Sequence, residues 1–249
     1  MKKRLKRLLN NKGLTLTELI VAMFLTSVIL SIAVGMLAPV KNLMNTLKGN
    51  AHMDAVSATV EEYIRGTVQA ATSLKFVVLN DDNTVKAETK DDVKKFFTDH
   101  KKVRAIAILN DGLSEIKYRL YDFGQLEGDG YTVLEDRLKN KNQKEYAVFL
   151  EPFYEGTSCA VEFYNDGGSR LQVASQCQRD PGTLDADGNH IMKIANQKHM
   201  LSFNLLNGGQ IGQDSGIYTD IKGDGTKTNL SDAEIKGRCY LILYTVLEL

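Results

Sequence analysis

The chain has 249 residues, 43 % of them hydrophobic and 25 % charged, a composition that supports a buried core and excludes intrinsic disorder. Basic and acidic residues balance at 31 each, but six of the basic ones fall within residues 1–13. The remainder is therefore net acidic, and no nucleic-acid partner is expected on net charge.

Residues 1–13 contain Lys2, Lys3, Arg4, Lys6, Arg7 and Lys12 and no acidic side chain, a pattern that keeps this end on the cytoplasmic face of a membrane. From Leu14 to Val40 only Glu18 can ionise. As a helix this stretch spans roughly 40 Å, enough for a bilayer core of about 30 Å. A secretory signal has a shorter apolar core followed by a small-residue cleavage site; here the core is long and the small residue, Gly13, precedes it. A carboxylate inside an apolar helix is costly, so Glu18 marks a function.

Gly13, then Leu14-Thr15-Leu16-Thr17-Glu18 and an unbroken apolar helix, resembles the class III leader of type IV pilins and pseudopilins. The resemblance implies cleavage after Gly13 by a prepilin peptidase, N-methylation of the new amino terminus at Leu14, where Phe is the usual residue, and an assembly role for Glu18. It also implies the pilin fold: an α+β chain whose long N-terminal helix packs on a mainly antiparallel β-sheet head.

The expected organisation is a cleaved leader at 1–13, a helix at 14–75 and a β-rich head at 76–249. The helix divides into a transmembrane part, 14–40, and an amphipathic stem, 41–75. In the stem Leu43, Met44, Leu47, Ala51, Val56, Val60, Tyr63, Ile64, Val68, Ala71 and Leu74 recur at helical steps, with Lys48, Asp54, Glu61, Glu62 and Arg65 assigned to other faces. Pro39 and Gly35 are potential kinks.

Beyond the stem the period becomes that of strands. Expected strands are Phe76–Leu79, Arg104–Leu109, Glu115–Tyr121, Glu145–Leu150, Ser158–Tyr164, Arg170–Cys177, Met200–Leu205 and the apolar stretch after Cys239, a central strand. Hairpin turns are expected at Asn110-Asp111-Gly112 and Asn165-Asp166-Gly167-Gly168-Ser169. A short helix is expected from Thr89 to Asp99, capped by Thr89, and a helical turn at Ser231–Glu234. Residues 122–144 read as an exposed lobe, with a short strand at Tyr131–Leu134 as an option.

Cys159 and Cys177 sit eight or nine residues either side of Gly167-Gly168, opposite or diagonal in most registers, and are disulfide candidates; Cys239 is the third cysteine. No G-x-S-x-G, H-E-x-x-H, C-x-x-C or P-loop is present, so no enzyme is expected. Asp185–Asn189 and Asp220–Gly225 resemble fragments of calcium loops but read better as Asp/Gly turns. The cysteines with His190 or His199 match no compact zinc spacing, and no cofactor or metal is expected. Lys94, Lys95, Lys101, Lys102 and Arg104, like Lys139–Lys144, read as solvated charge.

The expected function is a structural subunit of a type IV pilus or a related secretion or competence pseudopilus, with the large head pointing to a minor subunit. Its partners would be other pilin subunits, prepilin peptidase, the membrane and its pilus or secretion machinery, and a surface ligand of the head. Its location would be a single-pass cytoplasmic membrane form, then an extracellular filament. The alternative is a membrane-anchored binding or adhesion protein that does not polymerise.

Overall fold

A computed structural model describes residues 15–110, 118–140, 143–154, 156–165, 170–179, 193–194, 198–207, 222–223 and 238–247. The architecture is α+β: a long N-terminal helix and two sheets that are antiparallel but for one short pairing. Contacts divide the chain into residues 1–49 and 50–249.

Helix α1 runs Leu16–Val68 and includes Pro39. Its first part, through Leu47, exposes leucine, isoleucine, valine, methionine and phenylalanine all around. From Met53 onward one stripe is buried, comprising Met53, Val56, Val60, Ile64 and Val68 at three- and four-residue steps. Leu43, Met44, Leu47 and Ala51, expected to belong to the stem stripe, are exposed instead, the first three continuing the character of the first part.

The helix ends at Val68 rather than at Leu74. Ala71–Val78 forms strand β1, with Ala71 opposite Val246 and Leu74 opposite Tyr244. The apolar spacing through Val68, Ala71 and Leu74 fits either structure, and pairing with the last strand decides for extended backbone. The turn between them is held by Leu206 N–H donating to the Gln69 carbonyl and Asn207 Nδ2 to those of Ala70 and Ala71.

A 3₁₀ turn, Ala87–Thr89, leads into α2, Lys90–Asp99. Thr89 is the N-cap residue as expected, but its hydroxyl donates to the Lys86 carbonyl and does not cap. Strands β2, Arg104–Asn110, and β3, Tyr118–Gln125, pair antiparallel; the expected turn residues Asp111 and Gly112 lie outside the described residues. Residues 130–139, read from sequence as part of a lobe with an optional strand, form helix α3, Gly130–Lys139, with Tyr131, Leu134 and Leu138 buried on one face. Glu145–Leu150 is not a strand: a 3₁₀ turn covers Gln143–Tyr146, Ala147 makes one bridge to Tyr121, and helix α4 follows at Glu151–Tyr154. Phe149 stacks on Phe153, centroids 4.3 Å apart, so ring packing replaces sheet pairing here.

The remaining strands are β4, Thr157–Asn165; β5, Arg170–Arg179; β6, Lys193–Ile194; β7, His199–Asn204; β8, Lys222–Gly223; and β9, Tyr240–Val246. The first sheet has the order β1-β9-β2-β3, which makes β9 central as its apolar sequence predicts. The second has the order β6-β5-β4-β8, with β7 also on β5. In β1, Lys75 and Phe76 point to opposite faces: Lys75 Nζ lies 3.7 Å from Asp92 of α2, and the Phe76 ring lies 4.8 Å from Phe163 of β4. The first sheet is thus flanked by α2 and the second sheet.

Candidate functional site

The start of α1 is built by its own side chains. Thr15, just before the helix, and Glu18 form a reciprocal cap. The Thr15 N–H and hydroxyl both donate to Glu18 Oε2 at 2.9 Å, and the Glu18 N–H donates to Thr15 Oγ1 at 3.3 Å. An acidic side chain here also complements the positive end of the helix dipole. The Thr-x-x-Glu spacing was visible in the sequence, yet only the assembly role of Glu18 was read from it. Gly13 and Leu14 lie outside the described residues.

Downstream of this cap, α1 is the one helix among the described residues long and apolar enough to cross a membrane. Residues 8–34 match the family model described as the prokaryotic N-terminal methylation motif. Over this segment the chain is similar to the leaders of type IV pilins and pseudopilins. Comparison with curated proteins and with solved structures gives no match. The prepilin leader implies cleavage by a prepilin peptidase and membrane anchoring before assembly with other pilin subunits.

A second cluster lies where the buried half of α1 meets the second sheet. Glu61, expected on a solvated face, is only 3 % exposed. The hydroxyl of Ser175 on β5 donates to its Oε1 at 2.5 Å, and His199 Nδ1 on β7 lies 4.0 Å from its Oε2. Burial pushes the Glu61 carboxyl above its ordinary pKa, against the opposing pull of Ser175 and then His199. One turn earlier, Ser57 Oγ sits 3.2 Å from Cys177 Sγ. The clue in the sequence was the i, i+4 pair Ser57 and Glu61, running beside the apolar stripe.

Cys159 and Cys177 face each other directly across the β4–β5 pair, and both are buried thiols. A hydrogen bond with Cys177 and then burial push the Cys159 thiol well up from its ordinary value. Cys239, also buried, lies beside β9 in the first sheet. Among the described residues no group of three or more His, Cys, Asp or Glu side chains is arranged to hold a metal ion. His190, Asp185–Asn189, Ser231–Glu234 and most of Asp220–Gly225 lie outside the described residues.

A cleft of about 850 Å³ opens between α2 and α3, with the rings of Phe97 and Tyr131 at 77° to each other on its wall. Gly130 lets the helices approach, since a Cβ there would fall 2.6 Å from Phe97 Cδ1. Lys94, Lys101 and Lys102, assigned from sequence to solvated charge, line the cleft among Glu127, Asp129 and Glu135. Lys90 Nζ lies 3.1 Å from Glu135 Oε1, so positive charge in the cleft is locally balanced.

Proposed function

We propose that this pilin-family chain is a filament subunit, cleaved after Gly13, N-methylated at Leu14 and polymerised through α1. The observation that carries the reading is the coincidence at one helix of the methylation motif, an apolar surface exposed all around through Leu47, and a lone carboxylate at Glu18. Such a surface is stable in lipid or against copies of itself, and unstable in water. Cleavage creates a free amine at Leu14. When the first turn leaves the interfacial water on assembly, the Glu18 carboxylate needs an opposite charge, and the Leu14 amine of a neighbouring subunit supplies one.

The large head supports a minor rather than a bulk subunit, in a pilus or in a secretion or competence pseudopilus, held first in the cytoplasmic membrane and then at the cell surface. Its proposed role is structural and adhesive, with no enzymatic activity or cofactor, and the α2–α3 cleft is where a surface ligand would be sought. Gly13→Val places a side chain at the scissile bond, and intact mass of membrane fractions should show the leader retained. A variant that still begins at Leu14 would refute the assigned site.

Filaments pelleted from cells then separate a subunit from a non-polymerising anchor. Glu18→Gln keeps a reciprocal cap but removes the charge, whereas Glu18→Ala removes both. Both should insert, be cleaved and be depleted from filaments. Normal incorporation of the Gln variant would show that capping, not charge, is what the position supplies; absence of wild-type chain from filaments would favour the anchored binding protein.

A further inference from the structure

We propose that Cys159 and Cys177 join in a disulfide across the β4–β5 hairpin as the chain folds outside the cytoplasmic membrane, while Cys239 remains reduced. The proposal rests on the export just argued, which delivers residues beyond α1 to an oxidising compartment.

The register selects the pair. Cys159 stands opposite Cys177 in an unbroken antiparallel ladder from Thr157↔Arg179 to Asn165↔Leu171. Directly opposed residues have Cα atoms about 4.5–5.5 Å apart, within the span a disulfide bridges. Opposed side chains share a face, and the two thiols are already hydrogen-bonded. Cys239 adjoins β9 in the other sheet and so shares no ladder with either. Its neighbour Tyr240 packs on Phe163, with centroids 5.0 Å apart, and Phe163 lies four residues along β4 from Cys159, about 13 Å in an extended strand.

Burial sets the timing. The thiolate is the reacting species in disulfide exchange, and in the folded head Cys159 is held protonated and 3 % exposed. The bond therefore forms before β5 closes on Ser57 and Glu61 of α1. Two S–H bonds break and one S–S bond forms. The two electrons and two protons pass to an exported thiol–disulfide oxidoreductase in its disulfide form, or in vitro to glutathione disulfide. Once enclosed, the bond is shielded from reductants as the thiols are from oxidants. It ties β4 to β5 where Ser57 and Glu61 of α1 meet β5.

The test counts thiols on the full chain. Membrane fractions are quenched with acid, denatured and labelled with a maleimide-polyethylene glycol, with and without prior reduction. One label per chain without reduction and three with it are expected, and peptide mapping should place the bridge between Cys159 and Cys177. A reductant added to the folded chain should leave the count at one until denaturant is present. Three labels in cells, but one after the purified chain is unfolded and refolded in glutathione disulfide, would uphold the pairing and refute export. Three labels in both settings, or a bridge containing Cys239, would overturn the pairing.

Discussion

The two halves of α1 obey the same helical geometry and opposite demands. Between Leu16 and Leu47 apolar side chains cover every face and are exposed, Leu25 at 54 % and Ile29 at 64 %. Between Met53 and Val68 they narrow to one stripe, with Ile64 and Val68 at 0 %. The first half is matched to lipid or to other helices. The second supplies one wall of a core, and a polar ladder of Ser57 and Glu61 lies along its margin. The two parts of the helix therefore carry two unrelated surfaces, distinguished by their side chains.

Deletion gives the largest contrast. Removing residues through Gly49 takes away the exposed apolar surface and should leave the rest soluble with a cooperative unfolding transition. Removing residues through Val68 strips the core wall and should give aggregation or a molten state. Circular dichroism melts of the two would show it, and similar behaviour would break the division.

Point changes test each half in its own terms. Ile64→Ala removes a fully buried side chain and should cost about 2–5 kcal/mol by urea unfolding, with membrane association unchanged. Leu25→Arg, in the exposed half, should leave unfolding of the head unchanged while weakening membrane insertion by about 3 kcal/mol. Carbonate extraction would read this directly, and a change in head stability instead would contradict the assignment.

Glu61 gives the smallest effect and a signed one. Its carboxyl is raised by burial, so the folded state prefers it protonated. The contribution is fully present below the ordinary glutamate value of about 4.3 and is lost as pH rises through the raised value. Glu61→Gln, which keeps a partner for Ser175, should therefore flatten that decline and melt slightly higher than the parent at neutral pH. A steeper decline in the variant would mean that ionised Glu61 stabilises the junction.

Local periodicity made several strands of this chain legible. The strands around residues 158–164, 170–177 and 200–205 fell near their expected places, because alternation acts over a few positions; Asp166–Ser169 of the expected turn lie outside the described residues. The expected central strand after Cys239 was equally clear, since an unbroken apolar run is unsuited to an edge. Helix α3 was missed although Tyr131, Leu134 and Leu138 carry a helical period, because the surrounding Asp, Gly and Lys suggested a loop.

What the sequence by itself determined is the amino-terminal segment: the methylation motif over residues 8–34, the Thr15–Glu18 spacing and the apolar helix, whose behaviour depends on contacts within one helix and on the medium around it. What only the tertiary structure decided lies further along. Val68 ends the helix because β9, more than 170 residues later, offers β1 a partner. Glu61 is buried because Ser175 and His199 arrive to meet it, and Cys159 stands opposite Cys177 because one register of β4 on β5 places Phe163, Val173 and Ser175 in the core together. Local propensity cannot rank such outcomes, since each choice is settled by a surface that exists only after distant segments have come together.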